Sequence, residues 1–395
     1  MTIESTLSHS TWSNNWDALV IGAGPAGSML ALQLATEGMS VLLIDKAEFP
    51  RAKVCGSCIN AGAVDALREV SLDNLLQEAG AIQLAQLLIF DGSNTASIQL
   101  PESYALSRRS FDAALIKAAI DRGAQFLPGT QAKVMSVIES NRQVHITSQQ
   151  STHMLSAKIV IVADGLNGRS LAGISEFDTF AEPTSRFGTG AVLSNAPDFY
   201  ESGRIYMACG AHGYVGLVKL EDGKVDIAAA LNRDFSRTHN GPASAVSLIL
   251  QECGLKVPEE IFDARWFGTA SLTQGRKKVA AQHLFVIGDA CGYPEPFTGE
   301  GISWSLWSAL AVTDLVLAGI KQWDDNLITQ WHNKFDRLIR RHHHRSMLIA
   351  RALRNQWLRN SSISMLCHLP FVATPIVNKI AGSEIRHQYA AMRGK

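Results

Sequence analysis

Short apolar runs, each closed by glycine or an acidic residue, punctuate the chain. Ala18-Leu19-Val20-Ile21 and Val41-Leu42-Leu43-Ile44 have the length and continuity of strands buried on both faces of a parallel sheet. Between them, Ser28 to Glu37 has the alanine, leucine and methionine content of a packed helix, and Gly38 suits its C-terminal cap. Similar runs recur at Lys158 to Ala163, followed by Asp164-Gly165, and at Leu284 to Ile287, followed by Gly288-Asp289. Elsewhere the pattern changes. Residues 83–104 and 186–235 read as short strands with turns, and Gly216 to Leu220, the Asp222-Gly223 turn and Val225 to Ala230 predict a hairpin. A helical pattern spans residues 110–122 and ends at Gly123; from about residue 325 the tail is helical.

The turn inside the first strand–helix–strand unit carries chemistry. Gly22-Ala23-Gly24-Pro25-Ala26-Gly27 follows a strand, opens a helix, and is followed by Asp45 at the end of the next strand. In that context Gly22 permits the tight turn, Gly24 lets backbone approach a pyrophosphate, and Gly27 allows close helix–strand packing. Free N–H groups and the helix dipole face the anion, and Asp45 accepts from a ribose hydroxyl. A purely structural glycine turn is the alternative. The elements together predict a mixed α/β (α+β) fold. It has a Rossmann-like lobe from residues 16–82, 105–180 and 275–325, an inserted β-sheet lobe from 83–104 and 181–274, and a helical region over 326–395. Residues 1–15 read as a loose polar arm.

Composition limits the setting. With 395 residues and 46% hydrophobic content, more than one core is expected. Zero formal net charge gives nucleic acid no global attraction. Six scattered cysteines, and a start without a charged n-region or apolar core, predict reduced thiols in a cytoplasmic setting. No run is expected to reach the roughly 20 apolar residues of a membrane span.

Three later segments sharpen the dinucleotide reading. Val286-Ile287-Gly288-Asp289 is a strand running into a Gly-Asp turn, and Pro296-Phe297-Thr298-Gly299-Glu300-Gly301 leads into a helix from about Ile302. Asp164-Gly165 follows another strand, and Arg108-Arg109-Ser110-Phe111-Asp112 opens a helix. With the glycine turn, this order resembles the p-hydroxybenzoate hydroxylase-like flavoproteins, over roughly residues 16–320. The resemblance implies one FAD. It implies that Asp289 contacts the ribityl or pyrophosphate part and that Arg108 reaches the phosphate region. Asp164-Gly165 would lie near FAD and be tied to NAD(P)H handling. The Pro296, Gly299, Gly301 and Ile302 loop would bring N-terminal amides to the flavin pyrimidine edge, where reduced flavin is negative. Pro25, Ala26, Lys46 and Gly288 complete the expected cofactor contacts.

The segment Arg51-Ala52-Lys53-Val54-Cys55-Gly56-Ser57-Cys58 looks like the Lys-x-Cys-Gly stretch of the geranylgeranyl reductase family and its monooxygenase relatives. Arg51, Lys53, Cys55 and Gly56 are therefore further FAD candidates. The His-x-Gly-Glu-Ser and Trp-x-Trp-x-x-Pro patterns of flavin-dependent halogenases are absent, which sets halogenation behind. Cys55 and Cys58 have no second pair at zinc-site spacing and do not open a thioredoxin-type helix. A loop lining the flavin is the preferred reading.

Two reactions follow from the resemblance. The first is hydroxylation of a hydrophobic or phenolic intermediate through a flavin C4a-hydroperoxide; the second is reduction of alkene bonds by flavin hydride. A non-enzymatic flavoprotein is a third class. Electrons would come from NAD(P)H or a separate reductase, since no second glycine fingerprint is present. Tyr206, Met207, His212, Tyr214 and Phe297 are candidates to line a substrate pocket, and no catalytic acid or base is assigned. In the tail, Trp331, Phe335, Leu338, Ile339, Leu348, Ile349, Leu353, Trp357 and Leu358 recur on a helical period among eight basic residues, with Asp336 as the only acid in 331–359. One reading is a helix packed on the FAD lobe with a solvated basic face. The other is contact with a membrane surface or with an acidic, carrier-bound substrate. His342-His343-His344 puts neighbours on different faces and makes a poor metal site.

Overall fold

In the computed structural model, which describes residues 2–7, 13–148, 151–166, 168–295, 297, 299–368 and 383–393, the chain opens with the βαβ unit. It comprises β1 (Asn15–Ile21), α1 (Pro25–Thr36) and β2 (Val41–Ile44). β1 and β2 pair in parallel, from Ala18 opposite Val41 to Ile21 opposite Ile44. α1 starts three residues before the expected point, because Pro25 at its first position has no N–H to leave unsatisfied. Next come β3 (Cys58–Ile59), α2 (Ala61–Arg68), α3 (Leu75–Glu78), β4 (Ile82–Phe90), β5 (Thr95–Ala105), α4 (Arg108–Asp121), β6 (Gln125–Leu127), β7 (Gln131–Ile138), β8 (Asn141–Thr147) and β9 (Thr152–Val162). The central stretch supplies β10 (Thr179–Ala181), β11 (Phe187–Leu193), β12 (Arg204–Cys209), β13 (Gly213–Lys219), β14 (Val225–Leu231), α5 (Arg233–Thr238), α6 (Pro242–Glu252) and β15 (Phe267–Ser271). Then follow β16 (Gln274–Arg276), β17 (Ala280–Ala281), β18 (Leu284–Val286) and β19 (Gly292–Tyr293). The tail is α7 (Gly301–Lys321), α8 (Asn326–Phe335), a π-helical stretch over Asp336–Arg340, α9 (Arg341–Arg354), α10 (Gln356–His368) and α11 (Ser383–Arg393).

The described strands form two eight-stranded sheets and a three-stranded one. In the first, β18, β9, β1, β2 and β6 run parallel, and the apolar runs fill it because both faces are covered. β9 belongs to two arrangements: its first half closes the antiparallel β7–β8–β9 meander, and its second half lies between β1 and β18. The second sheet has the order β15-β11-β14-β13-β12-β4-β5-β3, antiparallel except where β12 runs beside β4. The expected β13–β14 hairpin forms, with Lys219 opposite Val225.

α7 corrects one expectation. By length and composition Gly301–Lys321 is apolar enough to span a membrane, yet it is a core helix, with 78% of its most apolar window buried. It packs on α1 and α2, and Trp307 donates from Nε1 to the Gly62 carbonyl at 2.8 Å. Behind it, Trp331 donates to the Val286 carbonyl at 3.0 Å. Both indoles are fully buried, and truncating either to alanine would cost about 3–5 kcal/mol. Residues 2–7, expected in a loose arm, are tied down instead. Ile3 donates to the Phe49 carbonyl, and Thr6 exchanges bonds with Phe126. In the tail, α8 and the π-helical stretch bury Trp331, Phe335, Leu338 and Ile339 in the core of the Rossmann-like lobe, whereas α10 lies along β5 of the second sheet.

Candidate cofactor and substrate site

Between the two large sheets, and beneath α9 and α10, lies a cavity of about 1730 Å³. A site for one small ligand occupies about 300–1,000 Å³, so this one has room for a dinucleotide and a second molecule. Its two ends differ in chemistry.

The polar end is built on the glycine turn. Gly22 has φ +106°, and a Cβ there would sit 2.4 Å from the Ala163 carbonyl oxygen; at Gly27 it would sit 1.9 Å from the Gly22 carbonyl oxygen. Neither position accepts a side chain, because α1 is pressed against the turn and the turn against β9. Gly24, the N-cap of α1, is different: a Cβ there would find only the guanidinium groups of Arg108 and Arg51, at 3.9 and 4.0 Å. The helix N-terminus therefore opens toward two cations, as an anionic diphosphate requires. Asp45 is held in place rather than left free, since its Oδ2 accepts from Ala23 N at 2.8 Å and its Oδ1 from Ala47 N at 2.9 Å.

Arg108 stands at the first position of α4, two residues earlier than the helical pattern suggested, because Ser107 caps the helix by accepting from Ser110 N. Its side chain makes a bidentate pair with Asp112, at 2.8 and 2.9 Å, and both groups are buried. Burial opposes its charge, but Asp112 and then Cys55 more than offset this and hold the guanidinium above its ordinary pKa. Arg51 reaches Asp112 at 3.6 Å and Asp45 at 3.9 Å. Lys53 lines the cavity and is exposed. The surrounding protein, and the nearby Arg108 and Arg51, lower its pKa despite Asp289 and Asp112. Burial raises Asp289, with Lys53 and Arg108 pulling the other way, and Ser305 donates to it at 3.4 Å. Three cations and the helix terminus thus face one small region of the cavity.

Asp164 adds a cue of its own. Its Oδ2 accepts from Ser170 Oγ and N at 2.7 and 3.1 Å, while its Oδ1 is buried without a partner among the described residues. Lys46, Cys55, Gly56, Gly165, Gly299, Gly301 and Ile302 also line this end, as do Pro25 and Ala26. Gly27 and Gly288 serve packing; a Cβ on Gly288 would lie 2.9 Å from Ala26 Cβ. Pro296 lies outside the described residues. α7 begins at Gly301, one residue before Ile302. Cys55 and Cys58 are free thiols that line the cavity, and no cluster of histidine, cysteine or carboxylate side chains among the described residues could hold a metal ion.

The other end is apolar. Leu84, Leu87, Ile89, Ile98 and Met207 come from the second sheet, Leu272 from the bend after β15, and Ile349, Leu353, Ile363 and Leu366 from α9 and α10. Tyr214 and Phe297 meet edge to face at 5.1 Å on this wall. Two candidates need correction. Tyr206 precedes Met207, so its side chain leaves the opposite face of β12; it packs with Phe90, Phe199 and Tyr200 and donates to the Phe199 carbonyl at 2.9 Å. His212 sits exposed in the β12–β13 turn, stacked on Phe235 at 4.3 Å, away from the cavity.

Sequence reasoning missed three features. Tyr293 lies between the two ends, where a Cβ on Gly301 would come within 2.8 Å of its hydroxyl. Burial, then Asp289 and Cys55, keep that phenol protonated; burial and Glu295 do the same for Tyr214. Glu295 is 1% exposed and joins Arg186 at 3.0 Å to Arg354 of α9 at 2.6 Å, strapping the tail to the segment before α7. The α10 lining is the third. The Gly-Tyr-Pro-Glu-Pro run was the only available signal for the first two.

The profile described as FAD binding domain matches residues 15–345. The chain belongs to this family. The open Gly24 cradle, its cations and the orphaned Asp164 oxygen fit FAD. The protein is an FAD-dependent oxidoreductase in fold and family. Among curated relatives, conditioned medium factor receptor 1 of Dictyostelium discoideum is 27% identical over 330 residues, 77% of this chain and 64% of that protein. The chain thus spans less than two thirds of that relative. A menaquinone reductase of Mycobacterium tuberculosis is 30% identical over 316 residues, 76% of each chain. A digeranylgeranylglycerophospholipid reductase of Methanosarcina acetivorans is 28% identical over 306 residues, covering 73% of this chain and 71% of that one. Two solved structures share the fold. One is a flavin-dependent brominase Bmp2 triple mutant (TM-score 0.77, 15% identity, 96% and 99% covered). The other is a geranylgeranyl bacteriochlorophyll reductase-like protein of Thermoplasma acidophilum (TM-score 0.75, 16% identity, 96% and 99% covered).

Proposed function

We propose that this protein saturates a carbon–carbon double bond in a long apolar, isoprenoid-type chain. The observation that carries the reading is the apolar end of the cavity, floored by the second sheet and roofed by α9 and α10. The names of the menaquinone and digeranylgeranylglycerophospholipid reductases support it. Hydroxylation, placed first by sequence, asks for polar groups that orient an aromatic substrate, whereas this wall is chiefly aliphatic.

Gly24, Arg51, Lys53 and Arg108 would hold the diphosphate of FAD, Asp45 the ribose, Asp289 the ribityl chain, and Gly299 to Ile302 the pyrimidine edge. Bound FAD supplies the hydride, recharged by NAD(P)H or a separate flavin reductase. The aliphatic walls position the alkene and exclude water. Tyr293 Oη and Tyr214 Oη, both kept protonated, would be the candidates to give the proton that completes saturation.

The test is anaerobic incubation of dithionite-reduced protein with a polyprenyl substrate, followed by mass spectrometry. The expected product has gained two hydrogens. A product that instead forms only with O₂, and carries one added oxygen, would restore hydroxylation.

A further inference from the structure

α9 and α10 carry apolar residues on two opposite sides. Inward, Leu353, Ile363 and Leu366 line the cavity. Outward, Leu348 is 62% exposed, Trp357 73% and Leu358 40%. Met365 belongs to both sets, since it lines the cavity and is 42% exposed. The outward face thus reaches the cavity wall. Leu348 stands on α9 and Trp357 and Leu358 at the start of α10, and large apolar side chains so exposed cost free energy in water.

The charges on this face point to its partner. Arg340 pairs with Asp336, Arg345 with Glu384, Arg351 with Glu182 and Arg354 with Glu295, while Arg359 is buried. Those arginines are internal fasteners. Arg337 and Arg341 are exposed and pair with no carboxylate among the described residues. Arg341 lies three residues before the exposed His344 and seven before Leu348, on the α9 side that carries Leu348, and Arg337 lies about one turn earlier in the π-helical stretch. Unpaired arginines together with exposed leucine and tryptophan on successive helices are the composition of a segment that lies in an anionic lipid interface.

We infer that this face docks on an anionic lipid bilayer, with Leu348, Trp357 and Leu358 among the acyl chains, Arg337 and Arg341 over the headgroups, and α10 holding the cavity wall against the membrane. Docking stands on the exposed face alone; only the idea that an isoprenoid chain passes past Met365 rests on the proposed function.

Flotation of the FAD-loaded protein with phosphatidylcholine vesicles, with and without phosphatidylglycerol, tests it. The wild type should float with the anionic vesicles and much less with the neutral ones. Arg337→Glu with Arg341→Glu should lower partitioning about tenfold or more, from roughly 1 kcal/mol per basic residue at the surface. Trp357→Asp with Leu358→Asp should abolish flotation while FAD content and turnover of a short, water-soluble alkene stay unchanged. Equal flotation by wild type and both variants overturns the inference. So does a wild type that stays in solution, and a dimer lost in Trp357→Asp would then assign the face to a second copy of the chain. Vesicle binding without alkene reduction leaves docking standing and removes the proposed function.

Discussion

The two ends of the cavity are made by opposite means. At the polar end a few residues do the work, each fixed by backbone or by a buried partner: Gly24 at a helix cap, Asp45 on two amides, Arg108 on Asp112. At the apolar end the shape comes from many aliphatic side chains drawn from the second sheet and from α9 and α10. Charge demands placement to fractions of an ångström, whereas apolar walls tolerate exchange at constant volume. Change at the first end should therefore act all or none, and change at the second should be graded.

The largest effect is expected for Arg108→Met. It strands Asp112, fully buried, with only the longer Arg51 contact. Leaving a buried charge without its partner costs about 3–5 kcal/mol. The variant should purify colourless and melt at a lower temperature, read by flavin absorbance after gel filtration and by thermal unfolding. A variant that kept stoichiometric FAD would mean that the polar end is as tolerant as the apolar one.

Leu366→Trp should be intermediate. Filling the α10 wall is expected to lower kcat/KM for a long polyprenyl substrate about tenfold, in the range of 1–3 kcal/mol for overpacking. FAD content should not change. Loss of FAD in this variant would show that the ends are mechanically one site.

The smallest effect concerns pH. Lys53 has a lowered pKa before FAD binds, and the anionic diphosphate favours its protonated form. Affinity for FAD is thus full below that lowered pKa and falls as pH rises through it. Titrating FAD into apoprotein across the alkaline range should show a few-fold weakening in the wild type. In Lys53→Met binding should be weaker throughout but flat with pH. A wild type without slope would remove Lys53 from the cradle.

The contrast also decides what was legible. The fold's parallel core could be read because strands buried on both faces leave continuous apolar runs, and Gly22 and Gly27 because no side chain survives those contacts. The direction of Tyr206 could not be read. A one-residue choice of face reverses every side chain in a strand, and both Tyr206 and Met207 suit a buried wall. His212 was misplaced for a related reason, since a histidine in a hairpin turn has no pattern to say which way the turn points. Glu295 was passed over because its partners, Arg186 and Arg354, lie 109 and 59 residues away in sequence. The arginines of the tail looked like one solvated stripe. Of the seven between residues 331 and 359, four are ion-paired within the chain and Arg359 is buried, leaving Arg337 and Arg341.

One arrangement bears on how the protein is made. The glycine turn, Arg108, Asp164, Asp289 and α7 are all synthesised by Lys321, but the roof of the cavity, α9 and α10, ends at His368. At roughly 5–20 residues per second the ribosome needs several seconds for that remainder. During that interval a nascent chain exposes a complete cradle without its cover, and Glu295 still waits for Arg354.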